Sequence, residues 1–191
     1  MKRFYLLFAV AMLSLSLSAA GHLKFKGVEI RGSVGTFVQE MEQQGLKFVS
    51  RKDGEVTLKG SFAGYKDCQV IVVASEKTDS MSQVIVKLPD EDLWNVLEEV
   101  YLDLQKRYTE KYGEPYTEEY NENSSDTDFA KMVALKDGNA SFRSVYSLQG
   151  GKVTVKIAYS NYPYAIKGHV EIIYNDNISV AERQKEINND I

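Results

Sequence analysis

The chain has 191 residues, with 23 Lys and Arg against 27 Asp and Glu and a net charge of −4. That balance argues against non-specific nucleic-acid binding, which rests on neutralising phosphates, and no basic stripe or cluster overrides it. The single cysteine, Cys68, excludes an intramolecular disulfide, so the fold must hold by packing alone.

The N-terminus reads as a secretion signal. Lys2 and Arg3 form a positive start, Phe4 to Leu13 an apolar run, and Ser18 and Ala20 the small residues before a cut at Gly21. The apolar run is too short to span a bilayer, which takes about 20 apolar residues. No cysteine lies at the cut to carry a lipid. Removing residues 1–20 leaves 171 residues with 21 basic and 27 acidic side chains, a net charge of −6. No later segment is apolar enough to cross a membrane. The sequence therefore predicts an exported protein, periplasmic or released, that is not membrane-spanning after cleavage.

Residues 21–191 read as one α+β domain of two helix-plus-meander halves, about 21–89 and 90–191. The first half opens with a short strand or extended arm containing Leu23-Lys24-Phe25-Lys26. Ser33 caps a helix over about 34–44, with Phe37, Val38 and Met41 on its apolar side and Gly45 at its end. Strands are expected at Leu46–Ser50, around Val56 to Phe62, at Cys68–Ala74 and at Gln83–Leu88. Asp53-Gly54 is a hairpin signal, and Cys68 reads as a small buried hydrophobe.

In the second half, Asp90 is expected to cap a helix over about 91–112 with the stripe Leu93, Leu97, Val100, Tyr101, Leu104 and Tyr108. Gly113 and Pro115 stop it. Trp94 is expected to anchor the core. Glu118 to Asp128 reads as an acidic loop. Four strands should follow, Phe129–Leu135, Ala140–Leu148, Lys152–Ser160 and Lys167–Tyr174, turning at Asp137-Gly138, Gly150-Gly151 and Asn161-Tyr162-Pro163-Tyr164. Ser179 and Glu182 form a capping box for a last helix. The apolar stripes Val56/Leu58, Val70/Val72, Val84/Val86 and Val153/Val155/Ile157 would be buried by one antiparallel sheet with its helices packed on one face.

The chemistry-bearing motifs are absent: no GxSxG, HExxH, P-loop or helix-opening GxGxxG occurs. No catalytic or metal-ligating set stands out, and no cofactor is implied. The two histidines read as a residue at the mature N-terminus, His22, and a solvated strand residue, His169. One feature points to binding. A symmetric hairpin centred on Thr78 pairs Val70 with Val86 and Val72 with Val84 towards the core. Ile71 and Ile85 then pair on the opposite face beside Val73, among Glu55, Thr57, Lys59, Lys87, Thr154 and Lys156. An apolar patch on a solvated sheet face marks a partner surface, unless a segment such as the arm at 21–28 covers it.

The stretches Leu23-Lys24-Phe25-Lys26-Gly27-Val28, Gly60-Ser61-Phe62-Ala63-Gly64-Tyr65-Lys66-Asp67-Cys68 and Thr109-Glu110-Lys111-Tyr112-Gly113-Glu114-Pro115 resemble a family of small exported proteins of unknown function best known from Bacteroidetes. The helix-plus-meander order, occurring twice, is similar in architecture to β-lactamase-inhibitory-protein-like folds. Both resemblances imply an interaction module and neither supplies a catalytic residue. The expectation is a non-enzymatic protein that binds a protein or envelope component through Ile71, Val73 and Ile85. The alternatives are a small hydrolase acting on envelope or dietary polymers, and a carbohydrate-binding module using Tyr162 and Tyr164.

Overall fold

The structure is a computed structural model that describes residues 21–122, 125, 127–163 and 165–189. The expected signal segment and Tyr164 lie outside the described residues. The chain opens with a small hairpin arm of β1 (Lys24–Phe25) and β2 (Val28–Glu29). Helix α1 (Val34–Gln43) follows, and the Ser33 hydroxyl accepts from the Gly35 N–H as its cap. Strands β3 (Lys47–Lys52), β4 (Glu55–Phe62), β5 (Tyr65–Ala74) and β6 (Met81–Lys87) then form the first meander. Asp53 and Gly54 both have positive φ (49° and 76°), the geometry of a tight two-residue hairpin turn.

The second half runs α2 (Trp94–Tyr112), β7 (Tyr116–Asn121), α3 (Asp128–Asp137), β8 (Ala140–Leu148), β9 (Gly151–Tyr162), β10 (Ala165–Asp176) and α4 (Asn177–Asn189). Each half contributes four antiparallel strands to one eight-stranded sheet of order β3-β4-β5-β6-β10-β9-β8-β7. The halves join through their last strands, β6 and β10, where Val86 faces Ile172 and Ile85 faces Ile173. A second, two-stranded sheet is the arm itself. The fold is α+β, as the alternating stripes require.

One face of the sheet carries the core. Val56, Leu58, Val70, Val72, Val84, Val86, Val153, Val155, Ile157, Val170 and Ile172 are all buried. They meet Phe37 and Met41 of α1, and Trp94, Leu97, Tyr101 and Leu104 of α2. Gly168 marks how tightly α2 and α3 press on β10. A Cβ there would stand 2.9 Å from Leu97 Cδ1 and 3.0 Å from the Ala158 carbonyl, with Met132 Cε behind. Tyrosine hydroxyls tie α2 to the strands. Tyr101 bonds Ser144 at 2.8 Å, Tyr146 donates to the Gln105 carbonyl at 2.8 Å, and Tyr108 bonds Tyr174. Cys68 is fully buried, and burial pushes its thiol up.

The arm also packs on this side. Phe25 stacks on Phe62 (centroids 5.4 Å apart) and meets Phe37 and Tyr174. Asp176 holds it there, accepting from the Leu23 N–H at 2.6 Å and lying 3.1 Å from His22 Nδ1. The arm therefore does not cover the opposite sheet face.

Four expectations are corrected. Asp90 does not cap α2, which starts at Trp94 with Leu93 at its cap position and no side-chain cap; Leu93 itself is exposed. The segment Phe129–Leu135 is helical, because Thr127 accepts from the Ala130 N–H at one end and Gly138 takes the left-handed conformation at the other. Part of the acidic loop is an edge strand, β7, paired along β8. Finally, α4 is capped by Asp176, which accepts from the Ser179 N–H at 2.7 Å, while the Ser179 hydroxyl donates to the Ile30 carbonyl.

Candidate functional site

With α1, α2, α3 and the arm on one side, the other side of the sheet is its open face. Its side chains fall into cross-strand rows, because directly opposed residues of antiparallel strands point the same way. The central row reads Thr57, Ile71, Ile85, Ile173, Thr154, Val145 and Tyr116 across seven strands. Ile71, Val73, Ile85, Ile173 and Val145 are partly exposed, and Tyr116 is 66% exposed at the edge. The pairing inferred from the hairpin at Thr78 is the observed one: Val70 with Val86, Ile71 with Ile85, Val72 with Val84. The row is longer than the sequence indicated, since Ile173, Val145 and Tyr116 extend it from the second half.

A polar row flanks it on one side, where Gln83 donates to Asn175. A charged row flanks it on the other: Lys59, Gln69, Lys87, Glu171, Lys156, Arg143 and Glu118. Glu171 is bracketed by Lys87 Nζ at 3.3 Å and Lys156 Nζ at 2.9 Å, and Arg143 meets Glu118 at 2.5 Å. By register and ion pairing, the face carries Lys47, Lys52, Lys59, Lys87, Arg143, Lys152, Lys156 and Lys167 against Glu55, Asp67, Glu118 and Glu171, with Asp90 at its end. A chain of net charge −4 thus turns a basic face outward. The even spread of cations along the sequence conceals this, because only strand pairing brings them together.

One end of this face is built around His169. The sequence suggested a solvated strand histidine, but His169 is buried. Its Nδ1 lies 2.6 Å from Ser160 Oγ and 3.3 Å from Asp90 Oδ1, and its Nε2 lies 3.1 Å from Glu171 Oε1. Asp90 arrives because the β6–α2 connection is stitched to β10: the Glu91 N–H donates to the Gly168 carbonyl at 2.8 Å, and the Gly168 N–H donates back at 2.9 Å. Ser160 donates to Asp90, and the Tyr162 hydroxyl donates to the same carboxylate at 2.7 Å.

The electrostatics follow from these partners. Burial would raise the Glu171 carboxyl, but the hydrogen bonds from His169 and Lys156 outweigh it and hold it down to about 2. Burial likewise opposes ionisation of Asp90, and the Ser160 and Tyr162 hydroxyls overcome it, holding that carboxyl below its usual range. The same bond raises the Tyr162 hydroxyl.

Ser160, His169 and Glu171 have the composition of a nucleophilic triad without its proton path. In such a triad the serine proton passes to the imidazole. Here the carboxylate of Asp90 can only accept, so the Ser160 proton is committed to Asp90. The cluster instead fixes the end of the face and borders a groove of about 460 Å³ lined by Gln69, Lys87, Tyr159 and Asn161. Tyr162 lies at this groove, 45% exposed, with its hydroxyl committed to Asp90. His22 sits on the helix side beside Asp176, so the two histidines do not converge.

The chain carries no helix long and apolar enough to cross a membrane among the described residues. No protein-family model, curated protein or solved structure matches it.

Proposed function

We propose that this is an exported, non-enzymatic binding protein that engages a protein partner through the open face of its sheet. The observation that carries the reading is the apolar row Ile71–Ile85–Ile173, extended by Val73 and Val145, on the face opposite α1, α2, α3 and the arm. Eight strands at about 4.8 Å spacing and about six residues of rise give this face roughly 700 Å². A standard protein interface takes about 800 Å² from each partner. The arrangement also has the anatomy of such a surface, an apolar centre within a polar and charged surround. The excess of Lys and Arg selects a partner with an acidic rim. Export rests on the Lys2–Ala20 pattern, and the same address suits an envelope partner.

The test is Ile85→Glu beside Ile173→Glu, made in the full chain and purified after passage through an exporting host. Both variants should keep the wild-type circular dichroism and melt within a few degrees of it, while losing retention of the envelope partner that wild type captures. Unfolding of both variants would show that the row is core and end the proposal.

A further inference from the structure

A second surface lies on the far side of the molecule and is independent of the open-face reading. Between the arm, α2 and the β8–β9 turn is a cleft of about 610 Å³, inside the range of small-molecule sites. Its accessible lining is largely apolar: Phe62, Tyr112 and Leu148 are partly exposed there, with the fully buried Leu104 and Val153 behind them. Tyr108 and Tyr174, at its inner edge, bond each other through their hydroxyls. The lining also includes Lys24, Lys26, Arg107 and Lys111, and no Asp or Glu.

That imbalance is local and large in a chain with more acidic than basic residues. Two of the four cations are already engaged. Lys24 stands 4.0 Å from Glu29, and Arg107 bonds Asp103 and the Ala63 carbonyl. Lys26 and Lys111 have no carboxylate partner among the described residues; Lys111 lies 4.8 Å over the Tyr112 ring. Lys26 occupies the tip of the arm with φ 48°, beside Gly27 at φ 86°. Position one of such a turn favours Asn, Asp or Gly, so a lysine there is held at a conformational cost beside the cleft.

We propose that this cleft binds a small anionic amphiphile. Its apolar body lies on Phe62, Tyr112 and Leu148, and its single acidic head group pairs with Lys26 and Lys111. A charge-assisted bond from an ammonium to such a head group is the stronger kind, and the apolar lining supplies no competing anion.

The experiment uses four probes with the same twelve-carbon tail and different heads: laurate, dodecyl phosphate, dodecyl maltoside and dodecyltrimethylammonium. Each is titrated below its micelle concentration into the full chain purified from an exporting host. Laurate or dodecyl phosphate should bind with one molecule per chain, and the neutral and cationic probes should bind at least about 10-fold more weakly. Lys26→Glu with Lys111→Glu should cost at least about 10-fold in affinity for the acidic probe and shift the melting temperature of the free protein by no more than a few degrees. Bound laurate should also shield the Lys26 and Lys111 amines of the wild-type chain from acetylation, which tests the site without any variant. Binding that ignores head-group charge, binding untouched by the double reversal, unshielded amines, or no binding by either acidic probe would each overturn the proposal.

Discussion

Glu171→Gln tests the electrostatics of the open face. The Glu171 carboxylate is 10% exposed and lies between Lys87, Lys156 and His169. Its carboxyl is held down to about 2 from an ordinary 4.5. At about 1.36 kcal/mol per pH unit, that depression stabilises the fold by about 3 kcal/mol at neutral pH. The sign follows from its direction. A carboxyl that binds its proton less readily when folded stabilises the fold above pH 4.5, and that stabilisation is lost as the pH falls towards 2. Glutamine keeps the shape and removes the charge, leaving Lys87 and Lys156 without their shared counter-ion. Urea unfolding at pH 7 should therefore place the variant about 3 kcal/mol below wild type, and repeated towards pH 2 the two should converge. Comparing the pair cancels the parallel loss from Asp79, another carboxyl held low, here by Arg51 and Ser33 against burial. A gap that persists unchanged at low pH, or is absent at pH 7, would refute the ion-pair assignment.

Two further substitutions probe the packing that supports the face. Trp94 is fully buried against Phe142, with ring centroids 4.8 Å apart, and its indole N–H finds no partner among the described residues. Trp94→Phe should therefore cost less than about 1.5 kcal/mol and Trp94→Ala about 3–5 kcal/mol, measured by denaturation followed by circular dichroism; a Trp94→Phe cost above about 3 kcal/mol would show that the N–H is paired. Asp176→Ala should leave the buried Leu23 and Ser179 amides without their acceptor, at about 1–3 kcal/mol each. Amide exchange should then quicken across residues 22–30 and the first turn of α4; unchanged exchange would show that the arm is held by Phe25 alone.

The first half was legible because its signals agree. Val56/Leu58, Val70/Val72 and Val84/Val86 alternate cleanly, and a tight turn fixes register. The Ile71–Ile85 pair therefore followed from symmetry about Thr78. In the second half, local patterns compete. Phe129–Leu135 is a short apolar run that strand and helix share, and Asp137-Gly138 serves equally as a hairpin turn or a helix end. Thr127 and Gly138 decide for the helix by capping both termini. Strand β7 carries no apolar alternation; it exists because β8 offers it a partner edge and Arg143 offers Glu118 a counter-charge. The His169 cluster was not legible at all. Asp90, Ser160 and His169 meet only because β9 and β10 are antiparallel and the Glu91–Gly168 bridge folds the connection back.

The open face, and not the helix layer, is the surface proposed to meet the partner. Photo-cross-linking in the intact source cell tests it most directly, with benzoylphenylalanine placed at Ile85 on the open face or at Leu102, exposed on α2. One discrete adduct is expected from position 85 and none from position 102. An adduct from 102 alone, or none from 85, would contradict it.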